Sequence, residues 1–216
     1  MEKIRCSFSK NNEAMFLSHL DTKDVFEKAL RRANVPCNYS NGFNPRINII
    51  FAHPLSVGIE SKGEIFDLEV TKKIDLRDFI KDMNKVLPSG IILLSAIYVD
   101  SDDKKNIMSK VYSSVYTISL DDEDVETKKL TEYRKWYKNN MLNFLNQEYI
   151  MIEIKDKIVD IKSLILDFKF NAESILEIAV KSGSSFNLKP ETIINGFNNF
   201  VKKDMEFHIR REKILY

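Results

Sequence analysis

The sequence predicts an α+β fold of two βαββαβ units in tandem, and three observations carry that prediction. Across residues 1–100, runs of period two alternate with runs at helical spacing in the order strand, helix, strand, strand, helix, strand. A polar stretch at residues 100–110 reads as a linker. Beyond it, residues 111–216 give the same order a second time, less cleanly and as a repeat of architecture without a repeat of sequence. The βαββαβ order is the split βαβ of a ferredoxin-like domain.

The first unit opens on an alternating strand at residues 3–8, with Ile4, Cys6 and Phe8 on a buried face and Lys3, Arg5 and Ser7 on the other. Val25, Phe26, Ala29, Leu30 and Ala33 follow at helical spacing. Ser18 with Asp21 three residues on resembles a capping box, with Asp in place of the usual Glu or Gln. Arg31 and Arg32 close this helix and Pro36 prevents its continuation. A strand is expected at residues 47–52. Pro54 and Gly58 then break the pattern before a second alternating run at residues 64–70. Asp75 caps a helix whose buried stripe is Leu76, Phe79, Ile80, Met83 and Leu87. Pro88 and Gly90 end it, and residues 91–99 form the closing strand.

In the second unit, residues 115–120 are a strand, and an acidic patch at 121–124 lies near the start of a helix bearing Leu130, Tyr133, Tyr137, Met141 and Phe144. A hairpin around Asp156 joins residues 149–155 to 157–161. Strands follow at 164–170 and 175–181. Pro190, suited to a first helical turn, opens a helix through Phe200, and residues 205–211 close the sheet.

Composition bounds the function. A chain of 216 residues has room for one large domain or two small ones. Its 44% apolar and 30% charged content is that of an ordinary globular protein. A formal charge of +1 exerts no global pull on nucleic acid or acidic lipid, so such binding needs a local basic patch. No run reaches the roughly 18 apolar residues of a membrane span. The opening Met1-Glu2-Lys3-Ile4-Arg5 reads as a strand and not as a leader peptide, so a cytoplasmic protein is expected. Cys6 and Cys37 can pair, but buried free thiols are the expected state inside a cell. Two cysteines and the scattered His19, His53 and His208 supply neither a zinc site nor an iron–sulfur cluster. No Walker-type loop, dinucleotide fingerprint or nucleophile elbow is present, and no cofactor is expected.

His19 is the strongest candidate for acid–base work. It sits at a strand-to-helix junction, where backbone N–H groups collect anions, and Asp21 is placed to orient it. The plainer role is a histidine that helps cap the helix. The stretch YSNGFNPRINIIF, residues 39–51, is a turn cluster running into an apolar strand. Gly42 opens a backbone conformation closed to other residues, and Pro45 stiffens the exit. Asn44 and Arg46 then project from a rigid frame, with Arg46 suited to a bidentate grip on phosphate or carboxylate. Arg31, Arg32 and Tyr39, with Ser40 in the turn, complete a basic, aromatic patch suited to a nucleotide. A plain turn, with arginines that complement a helix end, is an equal alternative. The loop SGSSFNLKP, residues 182–190, has serines, backbone amides and Lys189 that can hold an anion, or is a plain loop. Glu60, Glu64, Asp67 and Glu69 read as a solvated strand edge. Trp136 and its tyrosine neighbours read as core and helix surface.

Four linked motifs carry a family resemblance. Phe16-Leu17-Ser18-His19-Leu20-Asp21, Ala29-Leu30-Arg31-Arg32-Ala33, Tyr39-Ser40-x-Gly42-Phe43-Asn44-Pro45 and Leu55-x-Val57-Gly58-x-Glu60-Ser61, with Glu64, Asp67 and Glu69, resemble the radical-SAM-linked protein family. Its members are free-standing or joined to a radical SAM enzyme. The resemblance spans most of residues 1–100 and touches 159–162 and 182–191 more weakly. Ile47 stands where members often carry a second proline, a departure that bears on the rigidity of the loop. The resemblance implies association with radical SAM chemistry, often near genes of RNA metabolism. A chain with two cysteines does not hold the cluster, so the radical reaction belongs to a partner enzyme. The expected function is an accessory protein that presents a substrate, a structured RNA among the candidates, on a face made by His19, Asp21, Arg31, Arg32, Tyr39, Ser40, Gly42, Asn44 and Arg46. Whether the chain catalyses anything itself stays open. The helix start at His19 and the bend at residues 42–45 are expected to form one pocket wall.

Two other functions fit the same residues. Tandem ferredoxin-like domains with a histidine near the first helix also resemble the CRISPR repeat-processing endoribonucleases, in which His19 would act on a phosphodiester. Those enzymes carry a glycine-rich loop near the C-terminus, and residues 205–216 contain no glycine. A scaffold that binds only protein is the third.

Overall fold

The face that Ile4, Cys6 and Phe8 share on the first strand, β1 (Glu2–Lys10), is the floor of a core. The structure, a computed structural model, describes residues 2–100, 105–121, 127–154, 156–183 and 186–216. The chain is mixed α/β, with four α-helices among the described residues. It divides into two units, Met1–Tyr112 with Arg211–Tyr216, and Ser113–Arg210.

In the first unit, α1 (His19–Arg32) starts at the expected capping box: Ser18 Oγ accepts from Asp21 N at 3.2 Å, and the Asp21 carboxylate accepts from Ser18 N at 3.2 Å. Strands β2 (Ile49–Phe51) and β3 (Glu60–Val70) follow. The first is shorter than expected because Ile47 is held in a bridge to Tyr39. Asp75 caps α2 (Leu76–Val86), accepting from Arg77 N and Asp78 N, and β4 (Ile91–Tyr98) closes the set. β1 pairs antiparallel with both β3 and β4, and β2 pairs antiparallel with β3. Phe26, Ala29 and Leu30 of α1 and Phe79 and Met83 of α2 pack on Ile4, Cys6, Phe8, Phe66 and Leu68. Phe8 and Phe66 meet Phe26 at 4.7 and 4.9 Å between ring centroids. Each such ring contributes about 1.5–3 kcal/mol by leaving water. Gly90 is required where the α2–β4 turn meets the end of β1. An added Cβ would lie 2.3 Å from Asn11 O. Both cysteines are buried free thiols.

The second unit holds β5 (Ser113–Leu120), α3 (Thr127–Leu145), the hairpin β6 (Met151–Ile154) and β7 (Lys157–Asp160), then β8 (Ile165–Phe170), β9 (Leu176–Lys181), α4 (Pro190–Val201) and β10 (Phe207–Leu215). The order in its sheet is β10-β5-β9-β8, and the hairpin, turning at Asp156 with φ 62°, is a separate two-stranded sheet. Tyr137, Met141 and Phe144 of the expected helical stripe are core, whereas Leu130 and Tyr133 are only half-buried. Trp136 stacks on Tyr133 with planes 3° apart, at the helix surface as expected. The acidic residues at 122–124, Lys155 and the serines at 184–185 lie outside the described residues.

Two expectations are corrected by what covers the other face of the first sheet. Residues 105–110 are not all linker. Residues 101–104 lie outside the described set, but Ile107–Lys110 forms a 3₁₀ turn, and Ile107 packs with Ala52, Val111 and Ile214 beside Ile65. Residues 211–215 of β10 belong to the first unit, where β10 neighbours β3, and the strand runs past residue 211. Glu64 and Asp67 are therefore not a solvated edge, and Arg5 is not on an exposed face. Asp67 stands opposite Arg5 in the β1–β3 register and takes its guanidinium through two hydrogen bonds of 2.7 and 2.9 Å. The Tyr216 ring lies over that guanidinium, 4.9 Å from its centroid. Glu64 is buried against Arg211. Glu69, half-buried, accepts from the Asn38 and Asn48 carboxamides at 2.9 and 2.8 Å, and Glu60 accepts from Asn12 N at 3.0 Å.

Asp67→Leu should strand the Arg5 guanidinium without its carboxylate and cost about 3–5 kcal/mol in urea unfolding, while Arg5→Leu combined with Asp67→Leu should recover most of that loss. A single-variant cost near zero would show that the pair does not hold β1 on β3.

Candidate functional site

Lys10 extends the alternation of Ile4, Cys6 and Phe8, which turns its side chain toward the core face and α1. It is 2% exposed, and the only side-chain hydrogen bond it makes among the described residues runs from Nζ to Leu17 O, at 2.6 Å. A 3₁₀ turn, Asn12–Phe16, connects the two. Lys10 thus ties the end of β1 to the residue before the Ser18 cap, and cap and tie together set the direction in which His19 leaves the first turn of α1.

The His19 ring stands edge-on to Phe51 of β2, at 5.5 Å and 85°. It is half-exposed and makes no hydrogen bond among the described residues. Glu64 shares the face of Phe66 and Leu68 on β3, and Arg211 reaches it with Nε at 2.7 Å and a second nitrogen on the other oxygen. Arg211 is fully buried and also donates to His53 O at 3.1 Å and Pro54 O at 3.4 Å. The loop between β2 and β3 is thereby fastened to Arg211 through residues 53 and 54. A second tie, Gly58 N to Met15 O at 3.0 Å, brings it against the 3₁₀ turn. Phe16, Leu20 and Val57 are exposed on these segments, Leu20 by 73%.

Charge and burial act on one another at this end of α1. Burial lowers the His19 imidazole pKa below its ordinary range, and Lys23 and Lys10 lower it further against the opposing pull of Glu64. Burial also lowers Lys10, which Glu64 holds up and Arg211 pushes down. A neutral imidazole at neutral pH results, able to accept a proton or a hydrogen bond from a bound molecule. Asp21 does not orient it. Its carboxylate is taken by Ser18, whose hydroxyl donates to it at 2.6 Å, and this hydrogen bond keeps its pKa low.

The other expected site residues gather elsewhere on the same helix. Ser40 N donates to Arg46 O at 2.8 Å and Ser40 Oγ accepts from Arg46 N at 3.0 Å, closing the bend at its base. Gly42 has φ 133°, and Tyr39, Phe43 and Asn44 are exposed. Arg46 points back to α1, 3.9 Å from Asp24 and 3.5 Å from Glu27, and Arg31 reaches the same Glu27 oxygen at 3.4 Å. Two of the three expected cations thus already face a carboxylate. Arg32 is exposed and has no partner among the described residues. Asp24 lies about 7 Å along the helix from His19 and Glu27 about 12 Å, so bend and helix start are neighbours on α1 without forming one cluster. In the SGSSFNLKP loop, Ser182 is buried and Gly183 has φ 136°. Sequence reasoning did not single out Lys10 or Arg211 and did not place Glu64 in the interior, where the structure buries all three. Among the described residues, no group of three or more His, Cys, Asp or Glu side chains is placed to hold a metal ion. No helix among them is long and apolar enough to cross a membrane.

Ser18→Ala should cost about 0.5–2 kcal/mol in urea unfolding by removing the cap that sets His19. The pH dependence has a definite sign. His19 binds its proton less tightly in the folded chain than in the unfolded one, so its contribution to stability is complete above the ordinary imidazole range and is lost as pH falls through the folded value. Urea midpoints measured against pH should therefore drop less steeply over that window in His19→Gln, and an imidazole titration by NMR at or above the ordinary range would contradict the assignment.

The family described as "Uncharacterized protein conserved in bacteria (DUF2344)" matches residues 3–190, and the chain belongs to it. A protein of Methanococcus voltae named "S-layer protein" is 24% identical over 164 residues, covering 70% of this chain. The chain spans 27% of that relative's length. A solved structure of an unknown protein from Galdieria sulphuraria aligns over 97% of this chain and 98% of its own, at 8% identity and a TM-score of 0.28. No structural inference follows from so low a score.

Proposed function

We propose that this DUF2344 protein is an accessory factor that binds a substrate at the N-terminal end of α1 and presents it to a separate radical SAM enzyme. His19 is the observation that carries the reading. It is a neutral, half-exposed imidazole with no hydrogen bond among the described residues, within electrostatic reach of buried Lys10 and Glu64 and flanked in the chain by exposed Phe16 and Leu20. Ionisable groups whose pKa values are displaced by burial and by named charges, here His19 and Lys10, are candidates for a functional site when one of them reaches the surface. Exposed apolar side chains around such a group are suited to contacting a partner or a base. Further support comes from where the family motifs meet. Residues 16–21, residues 55–61 and Glu64 converge on this end of α1 through the Gly58–Met15 hydrogen bond and the Arg211 contacts. The radical SAM partner rests on the resemblance of those motifs. A structured RNA is the substrate class we favour, with Arg32 and the exposed Phe43 as further points of contact.

The strand order supports a finer fold assignment as well. Two ferredoxin-like βαββαβ units are the reading supported by the orders β4-β1-β3, with β2 on β3, in the first unit and β10-β5-β9-β8 in the second, the β6–β7 hairpin being an addition to the second.

The same imidazole favours one other reading, a ribonuclease that uses His19 as general base beside the Lys10 ammonium. One set of experiments separates the two. Tagged protein is purified from its native cells, bound protein and RNA are identified, and the recovered enzyme is assayed on that RNA with and without the protein. Faster turnover with the protein is expected, and its loss in His19→Ala and Leu20→Asp at unchanged unfolding midpoints. Equal turnover with and without the protein would overturn the accessory role. Metal-free, His19-dependent cleavage of the RNA by the protein alone would transfer the assignment to the nuclease.

A further inference from the structure

The outer side of α3 carries an aromatic pair that the accessory reading does not use. Tyr133 and Trp136, three positions apart and so neighbours on one helix face, lie with planes 3° and centroids 6.1 Å apart, an offset stack. The exposed Lys203 ammonium lies over both rings, 4.7 Å from the tyrosine centroid and 5.4 Å from that of the tryptophan, within the range of cation–π attraction. The end of α4 carries it there. Lys202 takes the left-handed conformation at φ 54°, and Lys203 N donates to Asn198 O at 3.1 Å, which turns the chain back.

Two features exceed what fastening α4 to α3 requires. Tyr133 alone completes that fastening, since Lys203 Nζ donates to its hydroxyl at 3.4 Å and sits over its ring. Trp136 nevertheless joins the stack while 37% exposed, and its indole N–H has no hydrogen-bond partner among the described residues. The second feature is Lys202. It is exposed at a position that glycine usually takes, because a side chain strains the backbone there. A lysine kept against that strain has a use for its charge. The surrounding charge has one prevailing sign. Residues 128–138 hold five basic residues and one acidic, Glu132, and on the α4 side Asp204 is engaged by the Asn198 carboxamide at 3.3 Å.

We infer that this face of the second unit binds single-stranded nucleic acid, with a base on the exposed Trp136 ring and the adjoining phosphates on Lys135, Lys202 and Lys203. An aromatic face takes any base, and lysines beside it take the backbone that runs past. A duplex hides its base faces within its own stack, so the ring selects the single strand. A lipid surface is the poorer match, because no other large apolar side chain of α3 is exposed among the described residues, and insertion needs an apolar face. The inference stands on these residues alone and would hold if the accessory role fell.

The test is titration of the full chain with oligouridylate and with oligothymidylate, followed by the fluorescence of Trp136, the single tryptophan of the chain. A duplex of matched length and vesicles of phosphatidylserine and phosphatidylcholine run beside them. Saturable quenching by the single strands is expected, weaker by the duplex and absent with the vesicles, and the tighter strand identifies RNA or DNA as the ligand. The logarithm of affinity should fall against that of salt with a slope of about −2, and Lys135→Gln should lessen the slope by about 0.7. Trp136→Ala, read by the anisotropy of a labelled strand, should weaken binding by roughly 10-fold or more. Lys202→Gly should raise the ligand-free unfolding midpoint by relaxing the turn and yet weaken binding, a split that a purely structural lysine does not produce. Absence of quenching, equal binding of the duplex, quenching by the vesicles alone, or a Trp136→Ala variant that keeps its affinity would each overturn the proposal. No enzyme is present in these titrations, so their failure is separate from failure of the accessory role.

Discussion

The guanidinium of Arg211 has no path to water, and the structure around the start of α1 follows from compensating it. Removing an ion from water costs several kcal/mol, which is recovered only when its partner charge and its remaining hydrogen bonds are all in place. Glu64 supplies the charge and takes two of the donors, and the carbonyls of His53 and Pro54 take two more. Each of these acceptors is thereby held in position. The loop between β2 and β3 is fastened to the end of the chain, and the final strand becomes part of the first unit. Arg5 with Asp67, on the opposite face of β3, solves the same problem under the cover of Tyr216.

That rigid base has a consequence for the surface above it. Lys10, drawn into the same region, reaches Leu17 and fixes the residue ahead of the helix cap. His19 then emerges from a point held by strand, cap and loop together, while its own nitrogens stay uncommitted among the described residues. A binding group is most useful when its supports are rigid and its own hydrogen bonds are still to be made. The bend at residues 40–46 is a contrast. It is tied at its base by Ser40, and Glu69 holds Asn38 and Asn48 on either side, but its tip at Phe43 is fully exposed. Arg46 and Arg31 converge on Glu27, so the bend offers aromatic and amide groups more than positive charge.

Local signals were legible wherever one segment contains the whole interaction. The Ser18–Asp21 box, the Asp75 cap, the stop at Pro36, the hairpin turn at Asp156 and the start at Pro190 all lie within a few residues of their partners. The buried charges were not, although half of the signal was present. Lys10 has the parity of Ile4, Cys6 and Phe8, and Glu64 that of Phe66 and Leu68, so alternation alone turns both toward the core. For Glu64 charge outweighed parity because the compensating partner was invisible: Arg211 is 147 positions away. Asp67 has the parity of an exposed face, and only the tertiary cover of Ile107 and Tyr216 buries that side of the sheet. His19 was identified by its place at a helix start. Its supports became visible only in three dimensions.

The measurement that bears most directly on this account is a double-mutant cycle on Glu64→Leu and Arg211→Leu, read by urea unfolding and by the NMR titration of His19 in the same proteins. The account requires a coupling energy of at least about 1 kcal/mol, together with a displaced His19 titration in Glu64→Leu. Additive effects with an unmoved histidine would mean that the buried pair neither holds this end of the fold nor shapes the surface above it.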